Sequence, residues 1–371
     1  MKNNVLVRYL LKELLLYFLI AFLFFFFVFF INQILLMAER ILEKRVPVYQ
    51  VLKLMFYSLP FIIAQAAPFA TLVGFLMCLG RIVTDNEILI LRATGTSFFL
   101  LLKPVLLLGL IISVISFFVN DVLLPLGTIA YNDLSKEIVM SDPSIELETN
   151  SIKRMDKSVL VIGDVSEKDI SDLVFFDVDS DGNQRILLAE NTKVIDSHDR
   201  SILMQLEMEN PTLVTLNRKN NKNFDYLSAD NSLMNIFSSS IFYNNNSSVN
   251  PREMTSYDLS VLVNDMKKDE SVSDFQLNIY LIELYKKFSL PFGSLFFAML
   301  ALPLALMFGK VNGQTLGLII GIFLSVFYWA CIILGQTLGF RNGFNGFWLM
   351  WGPNFLMGFL GIVFFLRLVK K

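Results

Sequence analysis

The sequence predicts an α-helical membrane protein: six transmembrane helices, three plus three, around an inserted β-rich domain. Three observations predict it. Of the 371 residues, 54% are hydrophobic and only 17% charged, against about 25% charged in a soluble domain. Five charge-free stretches run 22 to 30 residues each, enough to cross a bilayer core of about 30 Å. Residues 125–276 hold 14 Lys/Arg against 26 Asp/Glu, whereas the rest of the chain holds 17 against 7. An acidic segment is thus set into a basic, greasy one, and the expected organisation is 1–124, 125–276 and 277–371.

The five stretches lie between Glu13 and Glu39, Lys53 and Arg81, Lys287 and Lys310, Lys310 and Arg341, and Arg341 and Arg367. A sixth, about Phe98 to Leu124, is broken only by Lys103 and Asp121 near its ends. Asp121 is expected to face the outer interface as a helix-end residue. The first stretch is too long for a removable signal peptide and is expected to stay as a helix.

The acidic segment reads as β-structure. Ser158–Val165, Ser171–Asp179, Arg185–Ile195 and Leu203–Leu216 are rich in Val, Ile, Leu and Phe, with Asp/Gly/Asn/Ser turns between them. That spacing suggests a sandwich or open barrel. Along 173–178, alternation sorts Leu173, Phe175 and Asp177 from Val174, Phe176 and Val178. A closed dry core and an apolar slide for acyl chains both fit. Asn217–Asn223 and Ser238–Asn250 are expected loops. Tyr257–Asp269 carries Leu259, Leu262, Val263 and Met266 at helical spacing.

Charge sets the expected topology. Ten Lys/Arg fall in the short loops and tails on the side of the termini, and five opposite. The positive-inside rule then places both termini in the cytoplasm and the acidic domain outside it. Several chemistries find no residues. His198 is the single histidine, so no His-cluster metal site is expected. Cys78 and Cys331 both fall inside spans, and no disulfide framework is expected. There is no phosphate loop, nucleophile elbow, C-x-x-C or dinucleotide glycine pattern. No cofactor and no enzymatic activity are expected, nor the buried carboxylates that ion-coupled carriers use.

The loop after the second stretch is the informative one: Thr84-Asp85-Asn86-Glu87-Ile88-Leu89-Ile90-Leu91-Arg92-Ala93-Thr94-Gly95. Thr84 or Asp85 is expected to cap a short helix, with Glu87 in its first turn. Ile88 and Leu91 share a face with the preceding span, and Gly95 suits a left-handed C-terminus. A plain interfacial connector and a lever for a soluble motor both fit.

Asn86-Glu87-Ile88-Leu89-Ile90-Leu91-Arg92-Ala93-Thr94-Gly95, after Leu79-Gly80-Arg81, resembles the cytoplasmic signature of the LptF/LptG (YjgP/YjgQ) permeases. Arg8-Tyr9-Leu10-Leu11-Lys12-Glu13, Tyr285-Lys286-Lys287-Phe288-Ser289-Leu290-Pro291-Phe292 and Trp351-Gly352-Pro353-Asn354 resemble that family's other motifs, in order over the whole chain. The resemblance implies a permease paired with its F or G paralogue and two copies of a cytoplasmic ATP-binding-cassette ATPase in the inner membrane. The resemblance also implies that the insert is a periplasmic β-jellyroll-like domain and that the cargo is lipopolysaccharide or a similar glycolipid, passed to a periplasmic bridge protein of similar β-fold. No nucleic acid is among the expected partners. It further implies an ATPase-coupling set of Asp85, Glu87, Ile88, Leu91, Arg92 and Gly95, with Glu87 meeting a basic residue of the ATPase. Lipid would enter between the first and fifth spans, about Leu14–Met37 and Val311–Leu338. Where some family members carry a phosphate-contacting lysine in the first span, this sequence has Ile31-Asn32-Gln33.

Two residue sets bear on such a gate. Gly313, Gly317 and Gly321 line one helix face, as a separable seam or a permanent packing face. Arg40, Lys44 and Arg45 lie at the outer end of the first span. They suit lipid phosphates, or act as snorkelling anchors beside Glu39 and Glu43. The alternative function is a membrane-anchored scaffold or sensor whose outer domain binds a protein partner.

Overall fold

The computed structural model describes residues 2–43, 47–141, 149–155, 158–166, 169–179, 182–195, 202–216, 224–237, 250–269, 272–309 and 311–370. Among the described residues, six helices are long and apolar enough to cross a membrane. The first span is α1 (Lys2–Glu43) and the second α2 (Val48–Thr84), followed by short α3 (Glu87–Ala93). The third span is α4 (Phe98–Phe118), which runs through a π-helical turn (Val119–Leu123) into α5 (Leu124–Ser141). After the strands come α6 (Ser256–Met266) and the fourth, fifth and sixth spans: α7 (Asp274–Phe308), α8 (Gly313–Asn342) and α9 (Gly346–Lys370).

Asp121 is therefore not at a helix end. It sits in the π turn of a helix that continues for another 18 residues as α5. Its Oδ1 accepts the Ser256 backbone N–H at 2.6 Å, at the start of α6. A charge in an apolar run reads as a terminus, but here one off-register turn gives it a backbone donor.

Contacts divide the chain into two units: Met1–Ala38 with Leu52–Tyr131 and Val249–Lys371, and Glu39–Val51 with Asn132–Ser248. The divisions after Tyr131 and Ser248 fall inside the expected 125–276 segment, because α5 carries the third helix onward and α6 packs Leu259 and Val263 against Tyr280 of the fourth span.

In the helical unit the second span is the hub. Its most apolar stretch is 83% buried, whereas that of the first span is 11% buried. Small residues allow this, since lipid offers no hydrophobic drive between helices and close approach must supply the attraction. A Cβ on Gly74 would lie 2.8 Å from the Phe18 Cα, so the first span crosses the second there backbone to backbone. The fourth, fifth and sixth spans meet in a buried polar link. The Tyr328 hydroxyl donates to Asn354 Oδ1 at 2.9 Å, and Asn354 Nδ2 donates to the Ser289 carbonyl at 2.6 Å.

The second unit holds one antiparallel sheet of nine strands. Its path runs β1 (Ser151–Met155), β2 (Ser158–Ile162), β4 (Asp169–Val178), β5 (Gln184–Ile195), β6 (Ile202–Glu209) and β9 (Asn231–Phe237); β3 (Val165–Ser166) pairs with β4. The sheet forks at β5. Gln184–Leu188 pair with β7 (Thr212–Leu216), which holds β8 (Phe224–Ser228), while Asn191–Ile195 pair with β6. The expected run Leu203–Leu216 is two strands, broken at Asn210–Pro211, where Asn210 has a φ of 49°. Leu160, Ile162, Leu173, Met204, Leu206 and Ile236 are among the residues of its buried face. Leu173 and Phe175 face that core, and Phe176 and Val178 lie outward. Expected loops 217–223 and 238–249, and His198, lie outside the described residues.

Two outcomes follow. Gly317→Val should destabilise the helical unit by about 1–3 kcal/mol, because overpacking strains a filled site and its Cβ would lie 2.5 Å from the Leu76 carbonyl oxygen. Gly352→Ala, with nothing within 4 Å, should leave the thermal aggregation midpoint in detergent unchanged. In the β unit, burial raises the Asp177 pKa, but hydrogen bonds from Arg185, Ser158 and the Val178 N–H more than offset it and hold the carboxyl below its ordinary range. A depressed carboxylate stabilises above its unfolded pKa, and that contribution disappears as pH falls through the folded value. Protease resistance of the β unit should fall over that acidic window, and Asp177→Asn should flatten the fall.

Candidate functional site

The turn between the second span and α3 is two residues long, and this sets its chemistry. Asn86, at φ 60°, turns the chain in the left-handed region and makes no side-chain cap. Neither Thr84 nor Asp85 is the cap. A capping residue needs extended backbone, and Thr84 is still helical as the last residue of the second span. The C-terminus of α3 is as expected. Gly95 has φ 84°, with Thr96 N–H donating to the Leu91 carbonyl and Gly95 N–H to that of Arg92. This paired pattern satisfies the last carbonyls of a helix.

Thr84 has a different task. Its hydroxyl donates to the Gly309 carbonyl at 2.8 Å and accepts the Gly313 N–H at 2.8 Å. It thus ties the second span to the connection between the fourth and fifth. Beside it, Cβ atoms on Gly80 and Gly313 would each come within 2.2 Å of the other residue's backbone oxygen. Cβ atoms on Gly317 and Gly321 would lie 2.5 Å from the Leu76 carbonyl oxygen and 2.9 Å from Val73 Cγ2. The glycine face of the fifth span is therefore packed on the second span, not the first.

The first span reaches α3 through side chains. Tyr9 donates to Glu87 Oε2 at 2.9 Å. Arg81 Nη2 bonds Glu13 at 2.8 Å, its Nη1 lies 3.7 Å from Asp85, and its guanidinium sits 5.8 Å from the Tyr17 ring centre. Arg92 lies over the Phe98 ring at 4.1 Å. Ile88 is buried and Leu91 packs on the main helical core. Leu89 and Ile90 point away, 68% and 60% exposed. The structure thus brings together Asp85, Glu87, Ile88, Leu91, Arg92 and Gly95, and adds Tyr9, Glu13, Arg81 and Thr84. Leu89 and Ile90 were missed although a signal existed: four consecutive apolar residues cannot all lie on one face of a helix. Lys44, Arg45 and the Arg40 side chain lie outside the described residues.

Four sequence motifs meet in pairs. The N-terminal motif touches the α3 motif through Tyr9 and Glu87, and the Ser289 motif touches the Asn354 motif. The chain matches the family model described as lipopolysaccharide export system permease LptF/LptG over residues 8–367. Comparison with curated proteins finds no match. The chain belongs to the LptF/LptG family: it is a multi-pass permease component with a β domain.

Thr84→Val should leave the Gly309 carbonyl and Gly313 N–H without their side-chain partner, at a cost of about 1–3 kcal/mol. Thr84→Ser should restore most of it. The check is the thermal unfolding midpoint of the two variants against the parent.

Proposed function

We propose that this LptF/LptG family member is the permease half of an ATP-driven extractor. It takes lipopolysaccharide or a related glycolipid from the inner membrane towards a periplasmic bridge. The termini and α3 face the cytoplasm, the β unit faces the periplasm, and a paralogous permease and a cytoplasmic ATPase dimer complete the machine.

The observation that carries this reading is α3 itself. Seven residues are fastened at both ends and clamped beneath by Ile88 and Leu91, yet present Leu89 and Ile90 outward beside Glu87. A helix that short is unstable alone, so its order comes from the core below it. An exposed apolar pair beside a carboxylate suits a partner with an apolar socket and a cation. In this role Asp85 and Arg92 hold the helix ends rather than the partner, through Arg81 and Phe98.

The lipid path runs along the first and fifth spans, which carry long apolar faces: Leu19, Leu23, Phe27 and Ile31 on one, Ile319, Phe323 and Val326 on the other. Head-group phosphates are the proposed ligands of Arg40, Lys44 and Arg45, which follow the first span in the sequence. Gly313, Gly317 and Gly321 serve the gate as the fixed hinge side, because they hold the fifth span to the second. In the β unit, β8 and β9 end the two branches of the fork beyond β5, and their outer edges suit strand addition by the bridge protein.

The discriminating experiment is co-purification from native membranes. Glu87→Arg and Leu89→Glu should each reduce ATPase recovery about tenfold or more while the chain stays folded. Unchanged recovery with both variants would favour the scaffold reading instead.

A further inference from the structure

A small cavity opens in the helical unit, away from α3. It is about 30 Å³ and is lined by Phe61, Gln65, Asn120, Arg252, Lys286 and Lys287 among others, with Glu283 beside them. That volume holds roughly two water-sized groups: the oxygens of an anion fit, a sugar or an acyl chain does not. Exposure falls inward. The Arg252 side chain is 50% exposed, that of Lys286 16%, and Lys287 as a whole 3%.

The charges do not balance. Arg252 Nε lies 3.5 Å from Glu283 Oε1, and Lys286 Nζ 3.6 Å from Glu283 Oε2. One carboxylate thus serves two cations. The Lys287 Nζ is buried with no hydrogen-bond partner. Asp121, the other acid nearby, accepts the Ser256 N–H and keeps its charge, so the cluster sets three cations against two carboxylates. An ammonium removed from water without a partner is costly, so the fold would shed Lys287 unless something repaid the burial.

The surrounding backbone is arranged to keep it. Pro291 lacks the N–H that would bond the carbonyl four residues back, that of Lys287. Asn120 Nδ2 donates to that carbonyl at 3.0 Å instead. Asn120 belongs to the π-helical turn Val119–Leu123, an irregularity frequent at functional sites. Proline in one helix and a π turn in another together fix the backbone at Lys287.

We propose that this cavity is a binding site for a phosphoryl anion, with Lys287 as the innermost ligand, Lys286 behind it and Arg252 at the mouth. A phosphate oxygen gives the unpaired ammonium its acceptor, and Arg252 presents the planar fork that suits phosphate. The phosphoryl group comes from a lipid head group or from free phosphate. The site stands on its own geometry; only its use as a cargo contact rests on the proposed function.

The test uses the full-length chain in detergent: wild type, Lys287→Met and Arg252→Gln. Bound lipid is counted by native mass spectrometry with phosphatidic acid, a bare phosphomonoester, against phosphatidylcholine. Inorganic phosphate is titrated separately against the melting temperature. Wild type should favour phosphatidic acid by about tenfold or more; Lys287→Met should lose the preference and Arg252→Gln part of it. A phosphate-dependent rise in melting temperature without lipid preference, abolished by Lys287→Met, upholds the site and assigns it a free anion. A wild type that responds to neither probe overturns the proposal, as does a Lys287→Met variant that matches wild type with both. Lys287→Gln is read with the same probes if the Met variant does not fold. ATPase recovery measured alongside separates the two readings: a wild type that binds neither probe yet recovers the ATPase normally strikes only the pocket.

Discussion

Close backbone contact around the second span is the constraint on which the helical unit depends. In a bilayer, apolar side chains gain nothing by leaving lipid for one another, so helices hold together where they pack more closely than lipid can. This chain achieves that with small residues on two faces of one helix. Gly74 admits the first span, and Gly80, Leu76 and Val73 receive the glycines of the fifth. The bulky side chains that dominate the composition are left to the outer faces, where Phe24, Phe27 and Phe323 are exposed.

That arrangement gives α3 something rigid to stand on. The second span ends at Thr84, whose hydroxyl fastens it to the fourth-to-fifth connection. Two residues later α3 begins. Three spans therefore converge within one turn of the short helix, the first joining through Tyr9–Glu87 and Arg81–Glu13. Each surface ion pair alone is worth little, about 0–1 kcal/mol. Their value is positional: together they fix α3 against the first and second spans.

The legible and illegible parts of this fold divide on physical grounds. Spans were readable because the bilayer demands a long run without charge, and that is a one-dimensional property. The left-handed Gly95 was readable because its conformation depends on its own residue type. The glycine face of the fifth span was readable as a face, but periodicity cannot say which helix it meets, and the partner proved to be the second. The cap was misplaced because Thr84 and Asp85 look like capping residues in isolation, while the two-residue turn keeps Thr84 helical and leaves the corner to Asn86. Lys287 reads as a charge at the head of a span. Its burial depends on side chains that other helices bring to the cavity, Phe61, Gln65 and Asn120 among them, a relation that no local pattern contains.

The same physics constrains how such a molecule could open. Parting the fifth span from the second would break both hydrogen bonds of Thr84 and expose a groove of bare backbone. An acyl chain offers no donor or acceptor to the Gly309 carbonyl and the Gly313 N–H, and unsatisfied backbone polar groups are costly in hydrocarbon. The outer faces of the first and fifth spans carry no such contacts; their phenylalanines and aliphatic side chains exchange one apolar neighbour for another at little cost. Movement is therefore cheapest where side chains meet lipid, and the second span, held on both sides by backbone, is the fixed post about which its neighbours would turn.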